Sequence, residues 1–438
     1  MKKVYAMLLI CAFLLGGCSS NSSDILAMPE MPQMQRELIE TVDSVRGGGY
    51  EYSEPRSGLN RQPLQLMDLD GDGEEEGIAF LRDVTETYKT FIYIFEKTTR
   101  GFVLFDIIEG SENELYTVSY SDILGKSGYE LIVEWGDNGS GSHPITIYNI
   151  NRDGLEKILE ISAKEYSVSD LDNDGTNEFI AVAKRGVGLL ADIYVSDSGK
   201  GLIEAASVPL STADGELLRI KAAEIMPSKN GVVIERKAET GVVTDVVAHN
   251  GERFVNMLPE GELCSGEATA ADVDGDGIIE MPKSAANGLT SSVAANRFFR
   301  WNVLSGENSL RQSSFTYHSY PEGWYLLMPL AWSGSVVAER SATRSGEVAI
   351  RFLTREYMHG DTEEFVEAPL FSIYVLTGNQ REQHAAEEGR FVVSTREGTI
   401  FAAEVISESY LATEINEELI KEMFKDIEND WFSEILFA

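Results

Sequence analysis

Residues 68–76 read DLDGDGEEE, residues 170–178 read DLDNDGTNE and residues 272–280 read DVDGDGIIE. Each stretch puts Asp at its first, third and fifth positions, Gly at its sixth and Glu at its ninth. Carboxylates a few ångströms apart repel one another and must shed water to approach, so such a loop is unfavourable without a cation among them. Ca²⁺ suits it: the ion accepts about six to eight oxygens in flexible geometry, and alternate carboxylates converge on one point where Gly73, Gly175 or Gly277 permits a sharp turn. The expected ligands are Asp68, Asp70, Asp72 and Glu76; Asp170, Asp172, Asp174 and Glu178; and Asp272, Asp274, Asp276 and Glu280. The seventh residue, Glu74, Thr176 or Ile278, is expected to add its carbonyl. An acidic surface turn is the alternative for any single copy. Three copies with the same ligand positions favour the metal.

An EF-hand also begins Asp-x-Asp-x-Asp-Gly, but it needs Glu at the twelfth position and a helix on either side. The twelfth positions here are Ala79, Ala181 and Lys283. Two of the loops run into apolar stretches, GIAFL and FIAVA, which predict buried strands. These are loop-to-strand sites.

The loops are spaced by 102 residues, Asp68 to Asp170 and Asp170 to Asp272. DILGKSGYELIV, from Asp122, falls near the first midpoint with Gly128 and Glu130 near the matching places, but Leu124 and Lys126 replace the second and third Asp. That copy is expected to keep the turn without the metal, the Lys126 ammonium substituting in part for the cation. MPSKNGVVIE, near the second midpoint, retains only a Gly and a following strand. The true period is therefore about fifty residues, with five units. Upstream of the loops lie TFIYIFEKTTRGFVLF, PITIYNINRDGLEKILEI, ADIYVSDSGKGLIEAA and TDVVAHNGERFVNM, each a pair of β-rich runs around a turn. Hairpin repeats of this length predict a β-propeller-like domain over residues 49–310. A β-solenoid is the alternative architecture.

DLDGDGEEEGIAF and DLDNDGTNEFIAV resemble the VCBS and FG-GAP repeats of bacterial surface proteins and integrin α-subunits. The resemblance covers roughly residues 50–300. It implies propeller blades whose acidic loops bind Ca²⁺ between adjacent strands. Pro282 departs from the pattern, because it sits where the strand after the third loop should begin.

MKK, an apolar VYAMLLICAFLL and LLGGC resemble a secretory leader ending in the bacterial lipobox, with cleavage before Cys18 and a lipid on its thiol. Residues 1–18 are thus expected to be the signal segment. Residues 19–48 are read as a tether followed by a short helix in PQMQRELIETVDSV. Residues 311–438 are expected to form a smaller α+β domain, closed by an amphipathic helix in TEINEELIKEMFKDIENDWF that Thr413 introduces. Cys11 falls in the leader, which leaves Cys264 with no partner for an internal disulfide.

Hydrophobic residues make up 43% of the chain and aromatic residues 9%, a globular composition, and the formal net charge is −36. That charge excludes nucleic acid, whose phosphates need clustered Lys and Arg.

The five histidines stand singly without metal-ligand spacing, and no nucleophile elbow or phosphate loop is present. GDNGSGSHP, residues 136–144, reads as a loop between strands and a candidate contact surface. Trp324, Tyr325 and Trp332 are candidates for a sugar-stacking platform, with burial in the core as the alternative. No catalytic residue is nominated. The chain is expected to be a calcium-binding, lipid-anchored extracytoplasmic binding or scaffolding protein on a bacterial membrane, with a protein or glycan ligand. The competing expectation is a calcium-dependent carbohydrate-active enzyme such as a polysaccharide lyase.

Overall fold

The computed structural model describes residues 32–427 except 111–113, 137–138, 140, 152–153, 187, 199–200, 213–214, 239–240, 259–267, 286–296, 358–364 and 407–414. The leader, most of the tether, Cys264, His359 and Thr413 lie outside the described residues. Two compact units are present. One runs to Ser119 and takes in Asn151–Leu155; the other holds Tyr120–Ile150 and the chain from Glu156.

In the first unit, helix α1 (Gln33–Val45) begins just after Pro32, whose fixed φ suits a helix start. Its Leu38 and Val42, four residues apart, are buried with Ala79, Leu81, Tyr93 and Phe95. Leu38 lies so close to Gly77 that a Cβ there would sit 2.4 Å from its Cδ1, so any larger residue would have to displace this buried side chain. Strands β1 (Tyr50–Tyr52), β2 (Leu64–Met67), β3 (Glu76–Asp83), β4 (Thr90–Thr98) and β5 (Gly101–Glu109) form the first sheet. Its order is β1-β3-β4-β5, with β2 also on β3.

Three four-stranded sheets follow along the chain in simple up-and-down order. The second comprises β6 (Leu115–Ser121), β7 (Glu130–Trp135), β8 (His143–Asn151) and β9 (Gly154–Ala163). The third comprises β10 (Glu165–Ser169), β11 (Glu178–Arg185), β12 (Gly188–Ser196) and β13 (Leu202–Pro209). The fourth comprises β14 (Glu216–Met226), β15 (Lys229–Ala238), β16 (Gly241–His249) and β17 (Phe254–Asn256). Strand β11 explains the unbroken apolar run FIAVA. Phe179 and Ala181 pack with Ile132, Ile145 and Ile147 on one side, while Ile180 and Val182 pack with Val232 and Ile234 on the other. Alternate residues of one strand thus serve two cores, and each large aliphatic side chain buried there contributes about 1.5–3 kcal/mol.

The fifth sheet joins β18 (Met281–Ser284), β19 (Arg297–Gly306), β20 (Ser309–Ser319) and β21 (Trp324–Met328) to a late strand, β27, formed by Phe424–Asp426. Pro282 is inside β18 after all. That strand is an edge whose sole neighbour is β19, so the missing N–H interrupts no ladder. The boundary expected between 310 and 311 falls within β20, and Gly306 pairs with Ser309 across a two-residue turn. The calcium signature ends there, but the sheet does not.

The sixth sheet contains β22 (Val336–Arg344), β23 (Glu347–Tyr357), β24 (Phe365–Thr377), β25 (Arg390–Arg396) and β26 (Thr399–Val405), in the order β22-β23-β24-β26-β25. It shares a core with the fifth sheet through Phe315, Tyr317 and Trp324 against Phe352, Phe371 and Phe401. Among the described residues the chain is therefore mainly β, with six small antiparallel sheets consistent with propeller blades. Among the described residues beyond 311 the α-helices are α2 (Arg381–Ala385) and α3 (Glu417–Met423). The closing helix is shorter than expected and is capped by Asn416, whose side chain accepts from Leu419 N–H at 2.9 Å. It stops because Phe424 stacks on Trp324 at 5.2 Å and draws the chain into the fifth sheet. No helix of the described residues is long and apolar enough to cross a membrane.

Candidate metal sites

The first two acidic loops lead into strands buried on both faces, and the third leads into an edge strand buried at Met281 and Pro282 and exposed at Lys283 and Ser284. The first joins β2 to β3, the second joins β10 to β11, and the third runs from Ala271, bridged to Glu280, into β18. The backbone follows one path in all three. The sixth-position glycines have φ of 91°, 90° and 89° at Gly73, Gly175 and Gly277, and the fourth position is left-handed too, at Gly71 (74°), Asn173 (61°) and Gly275 (80°). Gly and Asn are the residues that tolerate this region, so the fourth position was a legible signal that the Asp spacing overshadowed.

Turning the backbone twice aims peptide N–H groups inward at the first carboxylate. Asp68 accepts from Gly71 and Gly73 at 2.8 and 3.0 Å. Asp170 accepts from Asp174 and Gly175 at 3.2 and 3.0 Å, and Asp272 from Gly275 and Gly277 at 2.7 and 2.9 Å. The fifth-position carboxylates accept from the seventh-position N–H: Glu74 to Asp72 at 2.9 Å, Thr176 to Asp174 at 2.7 Å, Ile278 to Asp276 at 2.8 Å. The ninth-position Glu closes the loop by accepting from the second residue, Leu69, Leu171 or Val273, at 2.7 Å in every copy.

Carboxylate oxygens then converge. Asp68, Asp70 and Glu76 form one group, Asp170, Asp172 and Glu178 a second, and Asp272, Asp274 and Asp276 a third, with the oxygens of each group within 4.8 Å of one another. These groups contain nine of the twelve side chains expected as ligands. Asp72 and Asp174 are outside their groups, and in the third loop it is Glu280 that is outside. Glu280 instead accepts from Ser313 Oγ at 3.0 Å, while Asp274 accepts from Ser314 Oγ at 2.9 Å. Both serines come from β20, too far along the chain for loop spacing to point to them.

Burial pushes the Glu76 and Glu178 carboxyls up to about 7, with Asp70 and Asp172 adding repulsion, and pushes Glu280 up to about 8. A cation between the carboxylates reverses that balance, since it favours the ionised form it binds. An all-oxygen donor set of this kind suits a hard divalent ion.

The degenerate copy keeps the turn. Asp122 accepts from Gly125, Lys126 and Ser127 at 2.7, 3.1 and 3.3 Å. Glu130 accepts from Ile123 and Leu124 at 2.7 and 3.1 Å. Its left-handed sixth residue is Ser127 (71°), not the neighbouring Gly128. The second midpoint has contracted to the two-residue turn Pro227–Ser228 between β14 and β15. Neighbouring loops are laced together as well. Asn177 Nδ2 donates to the Asp122 carbonyl at 2.8 Å, and Asn230 Nδ2 to the Asp170 carbonyl at 3.0 Å.

Replacing Gly277 with Ala isolates the backbone requirement, because a Cβ there meets nothing within 4 Å. Gly277→Ala is expected to destabilise the protein by about 1–2 kcal/mol in urea unfolding, from the left-handed conformation alone. A change near zero would mean that the turn can relax.

The aromatic candidates resolve as core. Trp324 and Trp332 are 0% exposed and Tyr325 is 5% exposed, so none offers a face to a sugar. Residues 137, 138 and 140 of the Gly-rich loop lie outside the described residues.

No family model matches the chain, and no curated protein matches it. Among solved structures it is similar to the exotype rhamnogalacturonan lyase YesX and the rhamnogalacturonan lyase YesW, each at 14% identity and TM-score 0.27 over 70% of this chain and 61% of the lyase. A Bacillus licheniformis rhamnogalacturonan lyase follows at 12% identity and TM-score 0.24, over 60% of this chain and 62% of that one. The chain spans about three fifths of the length of these lyases. Likenesses this distant assign it no activity, and the expected kinship with VCBS and FG-GAP repeats rests on the loops themselves.

Proposed function

We propose that this chain is a calcium-stabilised, lipid-anchored extracytoplasmic binding protein built on VCBS/FG-GAP-like propeller blades. The observation that carries the proposal is the convergence of three carboxylates in each of three loops that share one backbone path. Asp68, Asp70 and Glu76, Asp170, Asp172 and Glu178, and Asp272, Asp274 and Asp276 would hold the ions. Bound calcium would supply charge neutralisation and pin each loop against its strand. Its role is structural, and the blades it braces present loops to a ligand.

The test is a metal count. Protein from residue 19 onward, dialysed against calcium and measured by plasma mass spectrometry, is expected to hold about three ions per chain. Each of Asp70→Ala, Asp172→Ala and Asp274→Ala is expected to remove one. A count of zero sinks the proposal.

The anchor has its own test. Cys18→Ser is expected to abolish lipid attachment, read by mass spectrometry of the mature N-terminus and by release from the membrane fraction. An unlipidated wild-type protein would remove the anchor from the proposal. The polysaccharide-lyase alternative predicts unsaturated products, absorbing in the ultraviolet, from a uronic-acid polymer, and their appearance would replace the binding reading with an enzymatic one.

A further inference from the structure

Within the first unit, a cleft of about 910 Å³ opens between α1, the β4–β5 turn and the first acidic loop. One wall is a helical stripe, Glu37, Glu40, Thr41 and Ser44, spaced to share a face. The opposite wall is the turn from Lys97 to Phe102, and Glu74 of the metal loop contributes the third side.

The floor of this cleft is already committed. Lys97 Nζ pairs with Glu37 at 2.7 Å and sits 4.5 Å from the centre of the Phe102 ring, which it covers. The hydroxyls of Thr41, Ser44 and Thr98 donate to the carbonyls of Glu37, Thr41 and Gly101. Three charged groups stand on three different walls with no side-chain hydrogen bond or ion pair among the described residues: Glu40 on the helix, Arg100 on the turn and Glu74 on the loop. The backbone of Glu74 is held by its N–H, which donates to Asp72, and its exposed carboxylate extends from that point.

The chemistry narrows the occupant. Polar surface outweighs apolar surface in the lining, which carries five charged side chains and Phe102 as its one large hydrophobic residue, and this disfavours a lipid or a hydrophobic peptide. Three carboxylates against two cations leave one negative charge in the cleft, and the chain as a whole carries −36, so a polyanion is repelled. Two unspent acceptors and one unspent forked donor instead match a neutral polyol. Neighbouring hydroxyls can donate to a carboxylate while ring and hydroxyl oxygens accept from a guanidinium. The volume is in the range of about 300–1,000 Å³ usual for small-ligand sites.

We propose that this cleft binds a neutral oligosaccharide, held by Glu40, Glu74 and Arg100. The inference rests on the reading of the chain as a calcium-stabilised binding protein, because Glu74 is positioned by the first loop.

The experiment is isothermal titration of the calcium-loaded protein, from residue 19 onward, with cellohexaose, xylohexaose and maltohexaose, and in parallel with trilysine and an oligogalacturonide. At least one hexasaccharide is expected to bind, and Glu40→Gln and Arg100→Ala are each expected to weaken it about ten-fold through loss of a charged hydrogen bond. Both residues are exposed, and bound calcium and melting temperature should stay at wild-type values. The proposal is overturned if no hexasaccharide binds at about 10 mM, if trilysine or the oligogalacturonide binds in its place, or if both variants bind as the wild type does. Hexasaccharide binding with no bound calcium would overturn the metal reading and leave the cleft standing.

Discussion

Removing calcium with a chelator is expected to lower the stability of this protein by roughly 8 kcal/mol and its melting temperature by roughly 10 °C or more. A ligand that binds only the folded state stabilises it by about 2.7 kcal/mol at a hundred-fold excess over Kd, and three such sites act together. The expected effect is large because converging carboxylates repel one another unless a cation lies between them. In each, three carboxylates have been brought within 4.8 Å of one another by a backbone that spends its own N–H groups holding them there. Asp70→Ala, Asp172→Ala and Asp274→Ala should each reduce the calcium-dependent increment by about one third, measured by calorimetry with and without chelator. The second loop should reach furthest, since Asn177 and Asn230 tie it to the turns on either side. Identical melting in calcium and in chelator would leave the three loops as acidic surface turns.

The loops were legible because everything they need is local. Nine consecutive residues carry the carboxylates, the turn glycine and the closing Glu, and after the first two loops an apolar run announces a strand covered on both faces. The hairpins and the fifty-residue period were legible for the same reason. What the sequence hid is what joins distant segments. Ser313 and Ser314 reach the third loop from β20, and nothing near them marks a metal. The wall of the cleft formed by α1 lies about sixty residues before the turn it faces, and only the fold brings Glu40 near Arg100. The division expected at 310 followed the acidic signature, whereas sheet continuity follows hydrogen bonds: β20 runs through that point and pairs with β19. Buried ion pairs were equally invisible. Arg236 and Asp245, 3% and 1% exposed, meet at 2.7 Å from adjacent strands of the fourth sheet, and each taken alone reads as an ordinary surface charge.

The largest single-residue effect is expected at one of these ion-pair centres, Glu347 at the start of β23. Its carboxylate is 3% exposed and accepts from Arg344 at 2.6 Å, Arg390 at 2.9 Å and Thr343 Oγ1 at 2.7 Å, with His384 Nδ1 3.6 Å away. β22, β23, β25 and α2 thus meet at this carboxylate, and β24 packs behind it through Tyr374, whose ring centre lies 3.6 Å from Arg390. Burial alone would push the Glu347 carboxyl up; the hydrogen bonds from Arg390, Thr343 and Arg344 and the charge of Arg390 outweigh it and hold the group down at about 2 against a usual 4.5. Removing one partner of a buried pair costs roughly 3–5 kcal/mol. Glu347→Gln keeps the shape and deletes the charge, and should cost about 3 kcal/mol in urea unfolding at pH 7. The pH dependence distinguishes charge from packing. A carboxyl whose folded value is depressed stabilises the protein above its unfolded value near 4.5 and loses that contribution as pH falls toward 2. The gap between wild type and Glu347→Gln should therefore be full at pH 7 and shrink steadily below pH 4.5, because the wild type acquires the proton that the variant never needs. A gap of constant size across that range would mean that the carboxylate matters for its shape, and that the two arginines are held by something other than its charge.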